Sequence, residues 1–110
     1  QARRADAVKL YKKLASDVRT KEGSAAAYYV LEDVFAGGDM DKAEKAIFAY
    51  SEREPQAYWL AKAFILLGDV YVRKGDNFQA RATYQSVADG YSPADDGIVD
   101  EAKARIAKLN

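Results

Sequence analysis

One short pattern occurs twice in this chain, 36 positions apart, and limits the folds open to it. The paired residues are Leu31 and Leu67, Asp33 and Asp69, Val34 and Val70, Phe35 and Tyr71. Each copy continues into a Gly-Asp pair and an alanine, at Gly38-Asp39 with Ala43 and at Gly75-Asp76 with Ala80. Such a period with two helical segments per copy is typical of helical solenoids, because one unit cannot bury its apolar face without a stacked neighbour. The repeat therefore predicts an all-α fold of stacked helix pairs.

Apolar spacing and capping residues predict six helices. Their expected bounds are about 2–18, 25–36, 40–50, 56–74, 77–89 and 96–109. Asp39 and Asp76 are expected to accept the unpaired N–H groups of the helices that follow them, and Ser24 is expected to do the same after a break at 21–24. Asp95 or Asp96 is expected to cap the last helix.

The second copy also carries a longer pattern of aromatic and small residues, at Phe64, Leu67, Gly68, Tyr71, Ala80 and Tyr84. It resembles the tetratricopeptide repeat, a helix-turn-helix of about 34 residues with an aromatic, a Leu-Gly pair and a tyrosine on the first helix, and a small and an aromatic residue on the second. The first copy matches with Tyr28, Leu31, Phe35, Ala43 and Ile47. It departs from the pattern at Glu32, which stands where the family has glycine.

The resemblance implies one tetratricopeptide-like domain over 1–110, a helical-repeat solenoid of about two and a half units. Segment 1–22 is expected to be the second helix of a truncated unit, since its apolar residues repeat the spacing found at 43–50. Residues 24–54 and 55–92 are the two whole units. Residues 95–110 are expected to form a capping helix, with an apolar stripe of Val99, Ala102, Ile106 and Leu109.

Composition argues against most kinds of catalysis. The chain contains neither cysteine nor histidine, which removes disulfides, thiolate nucleophiles and the usual general base and metal ligand. Its 17 basic and 17 acidic residues balance, unlike the basic surface of a nucleic-acid binder. No stretch approaches the roughly 18 apolar residues of a membrane span. We therefore predict a chain that is not an enzyme and uses no cofactor or metal; an enzyme would need residues outside this sequence.

A protein or peptide is the predicted partner. In tetratricopeptide arrays the first helix of each unit lines a concave groove, and the resemblance places six candidate contacts there: Tyr29, Asp33, Lys62, Ile65, Asp69 and Arg73. Family members that grip a C-terminal carboxylate have lysine and asparagine where this chain has tyrosine, isoleucine and aspartate, so that activity is not expected. Two of these residues have an alternative to contacting a partner. Asp33 could simply be solvated, and Asp69 could pair with Arg73, four residues further on the same helix.

Tyr58 and Trp59 are a second candidate contact surface. Both residue types are frequent in interfaces, but they fill gaps between helices equally well.

The favoured function is a non-catalytic scaffold that binds a protein segment, and the alternative is a structural spacer or oligomerising segment of a longer repeat protein. The sequence specifies neither the partner's identity nor the oligomeric state. Similarity in style to tetratricopeptide domains of bacterial envelope proteins implies a periplasmic or outer-membrane-associated location, with the bacterial cytoplasm as the alternative.

Overall fold

The structure, a computed structural model, describes residues 20–91 and 96–109. Within these ranges the chain forms five α-helices and no β-strand, which confirms the predicted all-α class for that part of the chain. The helices, α1 to α5 in chain order, span Lys21–Ala36, Met40–Glu52, Ala57–Arg73, Asn77–Gly90 and Ile98–Lys108. The helix predicted over 2–18 lies outside the described residues. The solenoid arrangement stays a prediction.

Packing divides the chain into two compact units, with the boundary after Leu60 in the first turn of α3. The described part of the N-terminal unit, residues 20–60, contains α1, α2 and the start of α3. The C-terminal unit contains the rest of α3 together with α4 and α5. The boundary falls a few residues beyond the junction at 54–55 that the repeat pattern predicts.

The first described helix begins earlier than the sequence predicts. Thr20, not Ser24, is its N-cap, and the Thr20 hydroxyl accepts a hydrogen bond from the Gly23 N–H at 2.9 Å. Ser24 is fully buried inside the helix, and its hydroxyl accepts from the Gln56 N–H at 3.0 Å. The predicted break at 21–24 is therefore wrong, because the Ser24 side chain is used in a long-range contact and the threonine four residues earlier supplies the cap.

The two Gly-Asp turns have the same local structure. Gly38 and Gly75 have φ of +94° and +80°, a left-handed conformation that favours glycine over residues with a Cβ. Each following aspartate caps the next helix, Asp39 by accepting from the Lys42 N–H at 3.1 Å and Asp76 by accepting from the Gln79 N–H at 3.0 Å. Both predicted caps are confirmed, and the turn is the part of the repeat that recurs in detail.

The N-terminal unit is held together by packing of α1 against α2. Its buried apolar side chains are Ala26, Ala27, Tyr28, Leu31, Ala43, Ile47 and Tyr50. The Tyr50 hydroxyl crosses between the helices and donates to the Ser24 carbonyl oxygen at 2.8 Å. This bond satisfies the one polar group of an otherwise apolar side chain, as a buried tyrosine requires.

Alkaline pH should destabilise the chain through Tyr50. Burial raises the pKa of Tyr50 to about 12 from its ordinary value of 10.0. The native state therefore holds this proton more tightly than the unfolded chain, so the stabilisation is complete below about pH 10 and is lost as the pH rises toward about 12. Urea midpoints measured from about pH 8 upward should fall over that window.

The matched control is Tyr50→Phe, which keeps the ring and has no proton to lose. Its midpoint should start lower, because the Ser24 carbonyl loses its donor at a cost of about 1 kcal/mol, and should then decline less steeply with pH. Parallel declines in the two proteins would show that Tyr50 does not contribute to the pH dependence.

The C-terminal unit has its core where α3, α4 and α5 meet. The buried cluster consists of Ala61, Ile65, Ala80, Tyr84, Val87, Ile98 and Ala102, with Ile106 and Leu109 packed against it. The stripe predicted for the last helix is thus on its inner face, and Ile98 extends it. The N-cap of this helix is Gly97, whose φ is +88° and which makes no side-chain cap bond, so the prediction that Asp96 caps the helix is wrong. The Asp96 carboxylate lies one residue before the cap and accepts from the Ile98 N–H at 3.2 Å. Asp95 lies outside the described residues.

Candidate functional site

Four aromatic side chains of the N-terminal unit form one group, which we call the aromatic cluster. Tyr28 and Tyr29 come from α1, and Tyr58 and Trp59 come from the first turn of α3. The Trp59 ring lies centrally, with centroid distances of 5.5 Å to Tyr28, 5.8 Å to Tyr29 and 5.1 Å to Tyr58. The pairs with Tyr29 and Tyr58 are edge-to-face, an arrangement worth about 0.5–1.5 kcal/mol beyond the area buried.

The aromatic cluster has a buried base and an exposed rim. Tyr28 is buried and Trp59 is half-buried, whereas the Tyr29 and Tyr58 side chains are 40% and 37% exposed. Rings that are held by other rings lose little conformational freedom when a ligand covers them. The rim formed by Tyr29, Trp59 and Tyr58 therefore offers a preorganised apolar surface.

Two sequence predictions meet at this cluster. Tyr29 is a predicted groove residue, and Tyr58 with Trp59 forms the second predicted surface. The structure brings all three into contact, and it gives Trp59 both roles that the sequence leaves open, packing against Tyr28 and partial exposure. Sequence reasoning missed the contact between Tyr29 and Trp59, because no periodic pattern links residues on helices that far apart in the chain.

Asp33 lies one helical turn after Tyr29 on α1 and is half-buried. It already takes part in an interaction within the protein. Tyr29 and Asp33 are therefore neighbours on one helix face, as a predicted pair of groove residues should be.

The other four predicted contacts, Lys62, Ile65, Asp69 and Arg73, belong to the C-terminal unit. Ile65 is 3% exposed and is part of the core cluster. Lys62 is half-buried and Arg73 is exposed, and both interact with other groups of the protein. Burial leaves Ile65 little surface for a ligand, because its face of α3 packs in the core of this unit.

Asp69 is engaged by two residues of the same unit. Its carboxylate accepts from the Tyr84 hydroxyl and from Arg105, whose Nε and Nη2 lie 3.0 and 3.3 Å away. Arg105 also pairs with Glu101 at 3.2 Å. The hydrogen bond to Asp69 raises the pKa of Arg105, and burial, followed by the bond to Asp69, raises the pKa of Tyr84. Asp69 thus links α3, α4 and α5, a structural role that sequence reasoning missed because Arg105 is 36 residues away.

A shallow pocket of about 290 Å³ lies between α1 and α2 in the N-terminal unit. Its wall is apolar apart from one guanidinium, and it is formed by Ala27, Val30, Leu31, Ala46, Ala49, Tyr50 and Arg53. Ala27 and Leu31 are one turn apart on α1, on a different side of the helix from Tyr29. The pocket and the rim of the aromatic cluster are therefore separate surfaces.

Residues 20–91 and 96–109 contain no group of three or more acidic side chains placed to hold a metal ion. Across the same ranges, no helix has both the length and the apolar character needed to cross a membrane. No protein-family model matches this chain, and no curated protein or solved structure matches it significantly. The resemblance to tetratricopeptide repeats therefore stays a prediction from the sequence pattern.

Proposed function

We propose that this chain is a non-catalytic protein-interaction domain that binds a segment of a partner protein on the rim of the aromatic cluster. The observation that carries the proposal is the pair of exposed rings, Tyr29 and Tyr58, each of which is in edge-to-face contact with Trp59. Tryptophan and tyrosine dominate the binding energy of many interfaces, because each covers a large area at a small entropic cost.

The chemistry of the chain supports binding rather than catalysis. Without histidine or cysteine, the usual pairs of nucleophile and general base cannot be assembled from its residues. The tetratricopeptide-like solenoid, its concave groove and a bacterial envelope location belong to the same proposal and rest on the sequence pattern. Of the six groove residues predicted, Tyr29 carries the proposal furthest because its ring is exposed, whereas Ile65 is buried in the core of the C-terminal unit and Asp69 is bonded to Arg105.

Selection of binding peptides from a random display library tests this proposal. We expect the selected peptides to bind the rim, so that Tyr29→Ala or Tyr58→Ala raises the Kd at least about tenfold, equivalent to about 1.4 kcal/mol. Binding is measured by fluorescence anisotropy of labelled peptide, and circular dichroism verifies that each variant is folded.

Phe78→Ala is the matched control, because Phe78 is an exposed aromatic side chain in the C-terminal unit. Its Kd should stay within about twofold of the unmodified chain. If the selected peptides bind the Tyr29→Ala, Tyr58→Ala and Phe78→Ala variants with equal affinity, the binding site does not lie on the rim. Failure to select any peptide, together with sedimentation showing a stable oligomer, would favour the alternative of an oligomerising segment.

A further inference from the structure

The spacing of the rings limits what the rim of the aromatic cluster can bind. The Trp59 centroid lies 5.8 Å from the Tyr29 centroid and 5.1 Å from the Tyr58 centroid, so the two tyrosine centroids are at most about 11 Å apart. A polyproline II helix has three residues per turn and rises about 3.1 Å per residue, so residues three positions apart share a face and are separated by about 9 Å. Residues four positions apart, at about 12 Å, exceed the limit and point to different faces.

The rings of the rim are also steeply inclined to one another. The Trp59 plane makes an angle of 69° with the Tyr29 plane and 86° with the Tyr58 plane. Neighbouring planes at such angles give the rim a corrugated rather than a flat surface. Aromatic-lined grooves are the surfaces on which proline-rich segments dock in several recognition domains.

The small area of the rim restricts the ligand further. The Tyr29 and Tyr58 side chains are 40% and 37% exposed, so together they present on the order of 200 Å² of surface. A stable protein interface covers about 800 Å² on each partner. A segment held by so little area binds only if it loses little conformational freedom. Proline-rich segments meet this condition, because the pyrrolidine ring fixes φ and the free chain already populates the polyproline II helix.

Charge favours neither an acidic nor a basic ligand. The N-terminal unit, residues 1–60, holds ten acidic and ten basic side chains, so its formal net charge is zero. From the ring spacing, the small area and this balance we infer that the bound segment is uncharged and proline-rich, and that prolines three positions apart contact Tyr29 and Tyr58. The inference rests on the proposed function and names the chemistry of its partner.

Trp59 makes the test specific, because it is the chain's only tryptophan and lies between the proposed contacts in the cluster. Four peptides of equal length are built on a host of serine and glutamine. One carries four prolines three positions apart, one carries four prolines four positions apart, one carries four leucines three positions apart, and one is the host alone. Each is titrated into the whole chain while Trp59 fluorescence is recorded.

We expect saturable binding of the peptide with prolines three positions apart, and no saturation with the host alone. Its Kd should lie at least about fivefold below those of the other proline peptide and of the leucine peptide. Leucine is the more apolar side chain, so burial of apolar area alone would give the opposite order.

Two variants test whether both rings are used. Tyr29→Ala and Tyr58→Ala each leave one exposed ring, so the advantage of the three-residue spacing over the four-residue spacing should fall below about twofold. Phe78→Ala should keep the full advantage, because Phe78 lies in the C-terminal unit. Circular dichroism verifies that each variant is folded.

Three outcomes would overturn the inference. Leucine binding as tight as proline binding would show that apolar area alone is recognised. Equal affinities for the two proline spacings in the unmodified chain would show that the rings do not each contact a proline. If none of the four peptides binds while library-selected peptides still bind the rim, the proposed function stands and its proline-rich partner is wrong; if the selected peptides also ignore Tyr29 and Tyr58, both are wrong.

Discussion

Replacing Tyr84 by alanine should lower the free energy of unfolding by about 3–5 kcal/mol, the largest loss we expect from a single substitution in this chain. Tyr84 is 1% exposed and is the largest fully buried side chain of the described residues. Its ring is part of the core shared by α3, α4 and α5, and its hydroxyl donates to Asp69. Removing the ring leaves a cavity among helices and takes one donor from the Asp69 carboxylate.

Urea unfolding followed by far-ultraviolet circular dichroism measures this loss. Tyr84→Phe keeps the ring and should cost only about 1 kcal/mol, because Arg105 still binds Asp69. Phe78→Ala removes an aromatic ring that is 83% exposed and should change the stability by less than about 0.5 kcal/mol. A loss below about 1 kcal/mol for Tyr84→Ala would mean that the core does not depend on this ring.

Gly68→Ala should be nearly as damaging, at about 3 kcal/mol, the upper part of the range for overpacked cores. A Cβ at position 68 would lie 2.2 Å from Cε1 and 2.6 Å from Cδ1 of Tyr84. The ring cannot easily move aside, since it is enclosed by the core and its hydroxyl is bound to Asp69, which Arg105 also holds. Without the clash, alanine inside a helix would stabilise the chain by up to about 1 kcal/mol relative to glycine.

Two comparisons isolate the clash. Gly90→Ala, at the end of α4, meets no atom within 4 Å and should be neutral or slightly stabilising. The double variant Gly68→Ala with Tyr84→Ala should lose clearly less stability than its two single variants added together, because the smaller side chain at 84 removes the overlap. Strict additivity, or a Gly68→Ala protein as stable as the unmodified chain, would contradict close packing of these two residues.

The sequence by itself determined the local structure of this chain. The all-α class, the caps at Asp39 and Asp76 and the apolar stripe of the last helix follow from residues within a few positions of one another. Helix periodicity and the hydrogen bonds of a first turn are local interactions, so a one-dimensional pattern can encode them. The left-handed glycines at 38 and 75 belong to the same category, since only the turn itself requires their conformation.

The tertiary structure decided how side chains distant in the chain are used. Ser24 is a helix-interior residue because its hydroxyl binds Gln56, 32 residues on, and Asp69 is a structural residue because Arg105 and Tyr84 bind it. The aromatic cluster likewise exists because the start of α3 packs beside α1. Such contacts depend on how helices pack, and the same residues in another packing would have other neighbours. The sequence therefore supplied the candidate residues, and the fold selected which of them lie together.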